Sequence, residues 1–298
     1  MASWRIGDVA IDRVVEMEGP SFAPDELLPD AVPEAMAALL SGDGGWLRDG
    51  WIEAESGLLV MSSHSFVLRT GRHTILVDTC VGNDKERPGH PRWHRRDGTW
   101  LADLARAGVP PETVDFVLCT HLHVDHVGWN TRLVDGRWVP TFPNARYLFG
   151  RREYEYCAAT TARGPAAPGS YGAFADSVLP VMQAGQAELV ADDHELDATV
   201  RFEPAPGHTP GTVVIHVDSE GRRGLFSGDV FHHPAQIARP AWSSRFCVDP
   251  VQSRQTREAL AARLADTDTL LLAAHFPAPT AGRVVAATAG YGFEAVGQ

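Results

Sequence analysis

Short apolar runs alternate with turns rich in glycine and proline along the chain, and this pattern predicts strands interspersed with helices. Residues 4–15 mix alternation with β-branched side chains and predict one or two strands. Residues 58–68 and 74–77 predict a hairpin. Further strands are predicted at 136–140, 145–149, 188–191, 200–203, 212–217, 224–226 and 270–273, helices at 34–40, 99–108, 151–159, 171–182 and 251–264, and a loop at 160–170.

Two segments depart from this pattern. Residues 19–57 contain four prolines together with Trp46 and Trp51, and they are longer and more irregular than a connection needs. We interpret them as a lid or interface arm within a single domain over residues 1–298; the alternative is a packing loop whose tryptophans fill the local core. Residues 82–98 are polar, and we expect His90 and His94 in this loop to be exposed to solvent.

Composition narrows the classes of function. The 298 residues carry 38 acidic and 26 basic side chains, a formal net charge of −12 that repels nucleic-acid backbones. The N-terminus has no apolar signal core and no apolar run approaches about 18 residues, so we expect a cytoplasmic protein that does not enter membranes. The four cysteines form no close pair, which argues against a disulfide framework or a thiolate zinc site.

The densest chemistry lies at residues 120–128. His121 and His123 follow an apolar strand, and side chains two positions apart in an extended chain point to the same side. If a helix begins next, Asp125 and His126 project from its first turn toward a second, nearby position. Such a segment can provide ligands for two adjacent metal ions, which suits a hydrolytic site that activates water.

Four later or earlier side chains complement this motif, because each follows a predicted strand. Asp78 ends the strand at 74–77, and we expect it to orient a metal ligand from behind. His208 lies in a PGHTPG turn, Asp229 in an SGD turn, and His275 after the apolar residues 270–274. Loop residues at strand ends are positioned by a rigid scaffold, so these three are candidate ligands.

The order of these motifs resembles the metallo-β-lactamase-fold superfamily. The resemblance implies an αββα four-layer sandwich, in which two mixed β-sheets are flanked by helices. It also implies a ligand set of His121, His123 and His208 for one metal, Asp125, His126 and His275 for the other, and Asp229 between both. Histidine and carboxylate ligands fit two zinc ions best, with manganese, iron and cobalt as alternatives.

Within the superfamily the chain is most similar to the branch of acyl-homoserine lactonases and methyl parathion hydrolase. The resemblance implies a hydrolase that uses a metal-bridging hydroxide on a small-molecule ester, lactone or organophosphate, with Asp125 and His232 among its catalytic residues. His232 stands where the lactonases tend to carry tyrosine, three residues after the bridging aspartate; the alternative is a packing role for a buried His232, with His233 exposed. The alternatives are a phosphodiesterase or β-lactam hydrolase, and a non-hydrolytic, iron-dependent redox or metal-sensing protein. The aromatic arm also suits a homodimer.

Overall fold

The computed structural model describes residues 2–162 and 171–297 and divides the chain into two compact units. The first unit consists of Met1–Glu16 and Ser63–His194, and the second of Met17–Ser62 and Glu195–Gln298. Most of the loop predicted at 160–170 lies outside the described residues. The expected single domain over residues 1–298 stays a prediction.

The described residues form fifteen strands and eight α-helices. The strands are β1 Ser3–Ile6, β2 Val9–Phe22, β3 Leu59–Arg69, β4 Thr74–Val77, β5 Phe116–Leu118, β6 Thr131–Val134, β7 Arg137–Pro140, β8 Arg146–Gly150, β9 Ala187–Val190, β10 Val200–Pro204, β11 Val213–Ser219, β12 Arg222–Phe226, β13 Leu270–Leu272, β14 Ala281–Ala287 and β15 Gly290–Ala295. The helices are α1 Pro24–Leu27, α2 Pro33–Ser41, α3 Trp100–Arg106, α4 Val124–Val127, α5 Arg151–Thr161, α6 Leu179–Gln183, α7 Ala235–Ala238 and α8 Pro250–Leu264. None of these helices is long and apolar enough to cross a membrane.

The first unit contains most of a seven-stranded sheet with the order β1-β2-β3-β4-β5-β8-β9, in which β2 and β3 continue into the second unit. Strands β3 and β4 form the predicted antiparallel hairpin, and β4, β5, β8 and β9 are parallel. The central strands are continuous apolar runs, which is typical of strands buried on both faces. Because Val77 pairs with Leu118, the residues that follow β4 and β5 leave the same edge of the sheet.

The second unit contains a six-stranded mixed sheet with the order β10-β11-β12-β13-β14-β15. Strands β12 and β13 are parallel, so the residues that follow them also share one edge. The first four strands were predicted, whereas β14 and β15 were not. Their sequences, AGRVVAA and GYGFEA, are rich in small residues and lack the apolar run that marks a buried strand.

The insertion at 19–57 contributes to the core of the second unit. Leu27, Leu39 and Leu47 are fully buried in the same hydrophobic cluster as Trp51. The rings of Trp46 and Trp51 meet edge to face at 5.2 Å. The structure therefore gives these side chains a packing role, while a lid or arm role for the insertion stays a prediction.

A buried histidine ties the insertion to the segment after β12. Nε2 of His233 donates to the Trp51 carbonyl at 2.9 Å, and Nδ1 accepts from the Ala235 amide at 3.1 Å. This pairing requires a neutral imidazole, because a proton on Nδ1 would remove the acceptor. Burial accordingly lowers the pKa of His233 from 6.5 to about 4, although the hydrogen bond to Trp51 opposes the shift.

We expect His233 to make the fold sensitive to mild acid. The unfolded chain takes up a proton near pH 6.5 and the folded chain only near pH 4, so stability is lost as pH falls through this window. Urea unfolding at pH 7.5 and pH 5 should therefore show a drop in unfolding free energy about 2 kcal/mol larger in the wild type than in His233→Gln. Equal drops in both proteins would contradict this assignment.

Two leucines offer a matched test of the hydrophobic core of the first unit. Leu76 on β4 is fully buried, whereas Leu133 on β6 is 43% exposed. Leu76→Ala should cost about 2–5 kcal/mol of unfolding free energy through lost burial and the cavity left behind. Leu133→Ala should change it by less than about 0.5 kcal/mol, as measured by urea unfolding. Similar losses for both would place Leu76 outside the cooperative core.

Candidate metal centre

The first unit brings four candidate ligands together after β5. The backbone of His123 is extended, and the chain then enters α4, whose first turn carries Asp125 and His126, as predicted. The ring centroid of His121 lies 4.7 Å from that of His123 and 4.0 Å from that of His126. The three imidazoles are buried and Asp125 is half-buried. The ligand atoms of His121 and His123 lie within 4.8 Å of one another, close enough to meet one ion.

Asp78 holds this cluster from behind. Its Oδ2 accepts from Nδ1 of His126 at 2.8 Å, and its two oxygens accept from the amide and hydroxyl of Thr120, each at 2.8 Å. The backbone of Asp78 has φ of 56°, a conformation that few residues other than glycine, asparagine and aspartate adopt readily. Because Nδ1 of His126 donates to Asp78, the proton of a neutral ring lies on Nδ1, and Nε2 is the nitrogen that could ligate a metal.

A glycine permits the close approach of the two loops that carry Asp78 and His126. The Gly128 amide donates to the Cys80 carbonyl at 2.7 Å. A Cβ at Gly128 would lie 1.8 Å from the carbonyl oxygen of Val81, which no side chain can tolerate. The loops meet backbone to backbone because this residue has no side chain.

Two carboxylates that the sequence did not reveal support the same loops. Oε1 of buried Glu153 accepts from the Leu122 amide at 3.2 Å, between the two histidines of the motif. Glu16 accepts from the amides of Val81 and Gly82 at 2.9 and 3.0 Å. Burial raises the pKa of Glu16, and these hydrogen bonds oppose the shift. Both lie far from the motif in sequence, so no local pattern could have indicated them.

The polar loop at 82–98 is more buried than predicted. Lys85, the only lysine of the chain, is fully buried: its ammonium donates to Thr131 Oγ1 at 2.6 Å and lies 3.6 Å from the Trp138 ring centroid. Burial lowers the pKa of Lys85 to about 7. Arg87 is also buried and makes two hydrogen bonds to Asp176, at 2.6 and 2.9 Å.

The two histidines of this loop are half-buried, so their predicted exposure was wrong. Nδ1 of His94 accepts from the Arg87 amide at 3.0 Å, and His90 stacks on Trp93 at 5.4 Å between ring centroids. The sequence pattern failed here because it registers polar character but not which polar groups find partners inside the fold.

The second unit brings three further candidates together. Asp229 follows β12 and His275 follows β13, and these parallel strands end at one edge. Nε2 of His208 lies 3.2 Å from Oδ2 of Asp229, and Nε2 of His275 lies 3.1 Å from Oδ1. All three side chains are buried.

The hydrogen bond made by Nδ1 of His275 indicates that this cluster requires a proton or a cation. Nδ1 of His275 donates to the Ser62 carbonyl at 2.8 Å, so a neutral ring turns an unprotonated Nε2 toward Asp229. A nitrogen lone pair and a carboxylate oxygen 3.1 Å apart repel unless a proton or a cation lies with them. Imidazole nitrogens and carboxylate oxygens, without thiolate, therefore fit a divalent metal such as zinc in this unit, as they do in the first.

His232 lies beside the same carboxylate. Its Nε2 is 3.3 Å from Oδ2 of Asp229, and its ring is buried. Neither ring nitrogen has a hydrogen-bond partner among residues 2–162 and 171–297. The backbone amide of His232 donates to Oε1 of Gln236 at 2.7 Å, which fixes the position of the residue while its ring stays available to a ligand.

Comparison with known proteins identifies the family. Residues 58–275 match the model of the Metallo-beta-lactamase superfamily, a span that contains every candidate ligand of both units. An N-acyl homoserine lactonase from Bacillus sp. is 28% identical over 175 residues, which cover 55% of this chain and 61% of that protein. The chain thus spans about three fifths or less of the length of the curated relatives it matches first.

Solved structures confirm the predicted fold. The hydrolase AbOPH of the beta lactamase superfamily aligns with a TM-score of 0.81 at 23% identity, covering 99% of this chain and 97% of that one. AidC, a dizinc quorum-quenching lactonase in complex with a product N-hexnoyl-L-homoserine, aligns with a TM-score of 0.77 at 20% identity, covering 100% and 97%. At such identities the likeness establishes the metallo-β-lactamase fold.

We expect Asp78 to control metal affinity through His126. Asp78→Asn keeps the size and tolerates the positive φ, but it weakens the charge-assisted hydrogen bond to Nδ1. The affinity for zinc, measured by competition with a chromophoric chelator, should fall about 10–100-fold. Asp135→Asn is the matched control, because Asp135 also has a positive φ of 50° but is exposed in the β6–β7 turn. An unchanged zinc affinity in Asp78→Asn would show that Asp78 does not support metal binding.

Proposed function

Because the chain belongs to the metallo-β-lactamase superfamily, we propose that it is a dinuclear-metal hydrolase acting on a small ester, lactone or organophosphate. The observation that carries the proposal is that each unit has its own buried cluster of side chains able to bind a metal. In these clusters Nδ1 of His126 and Nδ1 of His275 already donate hydrogen bonds. Hydrogen bonds of this kind fix the tautomer and direction of a ligating imidazole.

The two clusters are proposed to complete one centre for two divalent ions, zinc in the first place. The family match over residues 58–275 supports this joining, because it extends across both sets of ligands. One ion would take His121, His123 and His208, the other Asp125, His126 and His275, and Asp229 would be shared by both.

Two divalent ions supply a water of lowered pKa and a positive charge for the substrate oxygen. The chain's own residues then orient the ligands and bind the substrate. Asp78 holds His126 in its ligating orientation, and Asp125 supplies an anionic oxygen. His232 is proposed as a catalytic residue whose ring N–H donates a hydrogen bond to the substrate, since neither ring nitrogen has a hydrogen-bond partner among the described residues.

The relatives support a small-molecule substrate, with lactones first. The Bacillus relative is an N-acyl homoserine lactonase, and AidC holds a homoserine product. The net charge of −12 argues against a nucleic-acid substrate. A cytoplasmic location and a homodimer remain predictions from the sequence.

Metal removal provides the first test. Treatment with a chelator should abolish turnover, and added zinc should restore it, because water activation depends on the ions. A panel of lactones, aryl esters, organophosphates, bis-nitrophenyl phosphate and nitrocefin should show the highest kcat/KM on a member of the first three classes. An unchanged rate after chelation would refute the proposal. Faster turnover of the last two substrates, or bound iron with oxygen consumption and no hydrolysis, would favour the alternative functions.

A histidine pair provides the matched control. His208→Ala should lower kcat/KM by at least about 100-fold, because a ligand beside Asp229 is lost. His216→Ala should leave it unchanged, since His216 on β11 pairs with Glu203 at 2.7 Å and belongs to neither cluster. Equal effects of the two substitutions would contradict the ligand assignment.

A further inference from the structure

Helix α8 carries a fully buried arginine. The buried positions of this helix recur every three or four residues, as expected for one face packed on a core: Ser253, Arg257, Leu260, Ala261 and Leu264. Arg257 thus occupies a position where an apolar side chain would ordinarily lie. A buried charge is costly unless it is fully hydrogen-bonded, so its partners identify its role.

The partners of Arg257 are neutral oxygens. Nε donates to the Pro240 carbonyl at 2.7 Å, Nη1 to the Val230 carbonyl at 3.3 Å, and Nη2 to Ser243 Oγ at 3.0 Å. A further bond joins Nη1 to Ser253 Oγ on the same helix at 3.0 Å. Within the described residues no carboxylate forms a salt bridge with this guanidinium. Burial lowers the pKa of Arg257 to about 10, so it stays charged at neutral pH.

Three of these oxygens, those of Val230, Pro240 and Ser243, belong to one segment, residues 230–243, which begins directly after Asp229 and contains His232. Residues 230–238 are buried, and buried carbonyls need donors. Gln236 links the inside of the segment, because it accepts from the His232 amide and donates to the Trp242 carbonyl, each at 2.7 Å. Arg257 on α8 joins the two ends of the segment, because it donates to the carbonyls of Val230 and Pro240.

We propose that Arg257 is a positioning residue for the metal centre: its planar guanidinium holds segment 230–243 and thereby fixes the direction of Asp229 and His232. The inference rests on the proposed metal role of Asp229. The positive charge itself gives no benefit there, since it would repel bound cations. The useful property is the rigid fork of five donors, which an ammonium group does not reproduce.

Arg257→Lys removes the planar set of five donors but keeps the positive charge. We expect its zinc affinity, measured by competition with a chromophoric chelator, to fall about 10–100-fold. Its kcat on the best substrate of the panel should fall at least about tenfold while KM changes by less than about threefold. Arg254→Lys is the matched control, because Arg254 lies one turn earlier on the exposed face and pairs with Glu258 at 2.8 Å. It should retain wild-type zinc affinity and turnover.

Leu260→Ala distinguishes positioning from general stability. Leu260 lies on the same buried face, and its truncation should lower unfolding free energy without lowering zinc affinity. An equal loss of zinc affinity in Leu260→Ala would overturn the inference, as would a folded Arg257→Lys with wild-type affinity and kcat.

Ser243→Ala decides the matter if Arg257→Lys does not fold, because it removes one acceptor of the guanidinium, together with the Ser243 hydroxyl bond to the Pro250 carbonyl, and leaves Arg257 in place. Weakened zinc binding in Ser243→Ala would support the inference, and wild-type binding would then overturn it. A wild-type protein that binds no zinc would instead refute the proposed function, and this inference with it.

Discussion

The hydrogen bond between the Asp78 carboxylate and Nδ1 of His126 is the contact on which the first ligand cluster depends. It exists because β4 and β5 are parallel neighbours, so that the residues following them leave the sheet together. The same carboxylate also holds the backbone of Thr120, just before the first histidine. One buried charge therefore sets both the path of the chain and the direction of a ring. Such contacts are effective because surrounding apolar side chains exclude water.

In the second unit, main-chain carbonyls and not a carboxylate accept the hydrogen bonds that orient the candidate ligands. His275 is oriented by the Ser62 carbonyl, and the segment after Asp229 is held by carbonyls that converge on Arg257. Main-chain carbonyls do not titrate, so a change of pH does not remove these acceptors. The two halves of the proposed centre thus differ in what orients their ligands, although the ligands themselves are of one chemical kind.

The sequence predicted the elements whose signals are local. The hairpin of β3 and β4 was visible as two apolar runs, and the helix start at Asp125 and His126 followed from the motif. Strands β14 and β15 were missed because their stability comes from pairing and not from an apolar run. Burial of Lys85, Arg87 and Arg257 depends on oxygens up to 91 positions away, so it could not be predicted from nearby residues. The candidate metal ligands could be selected from the sequence because each of them lies near the end of a predicted strand.

The buried ammonium of Lys85 has a consequence for how the protein can be handled. As the chain has no other lysine, its folded surface presents no lysine ammonium to reagents that acylate primary amines. Reaction at Lys85 requires the contacts with Thr131 and Trp138 to open. The rate of acylation at Lys85 therefore records how often this part of the first unit opens.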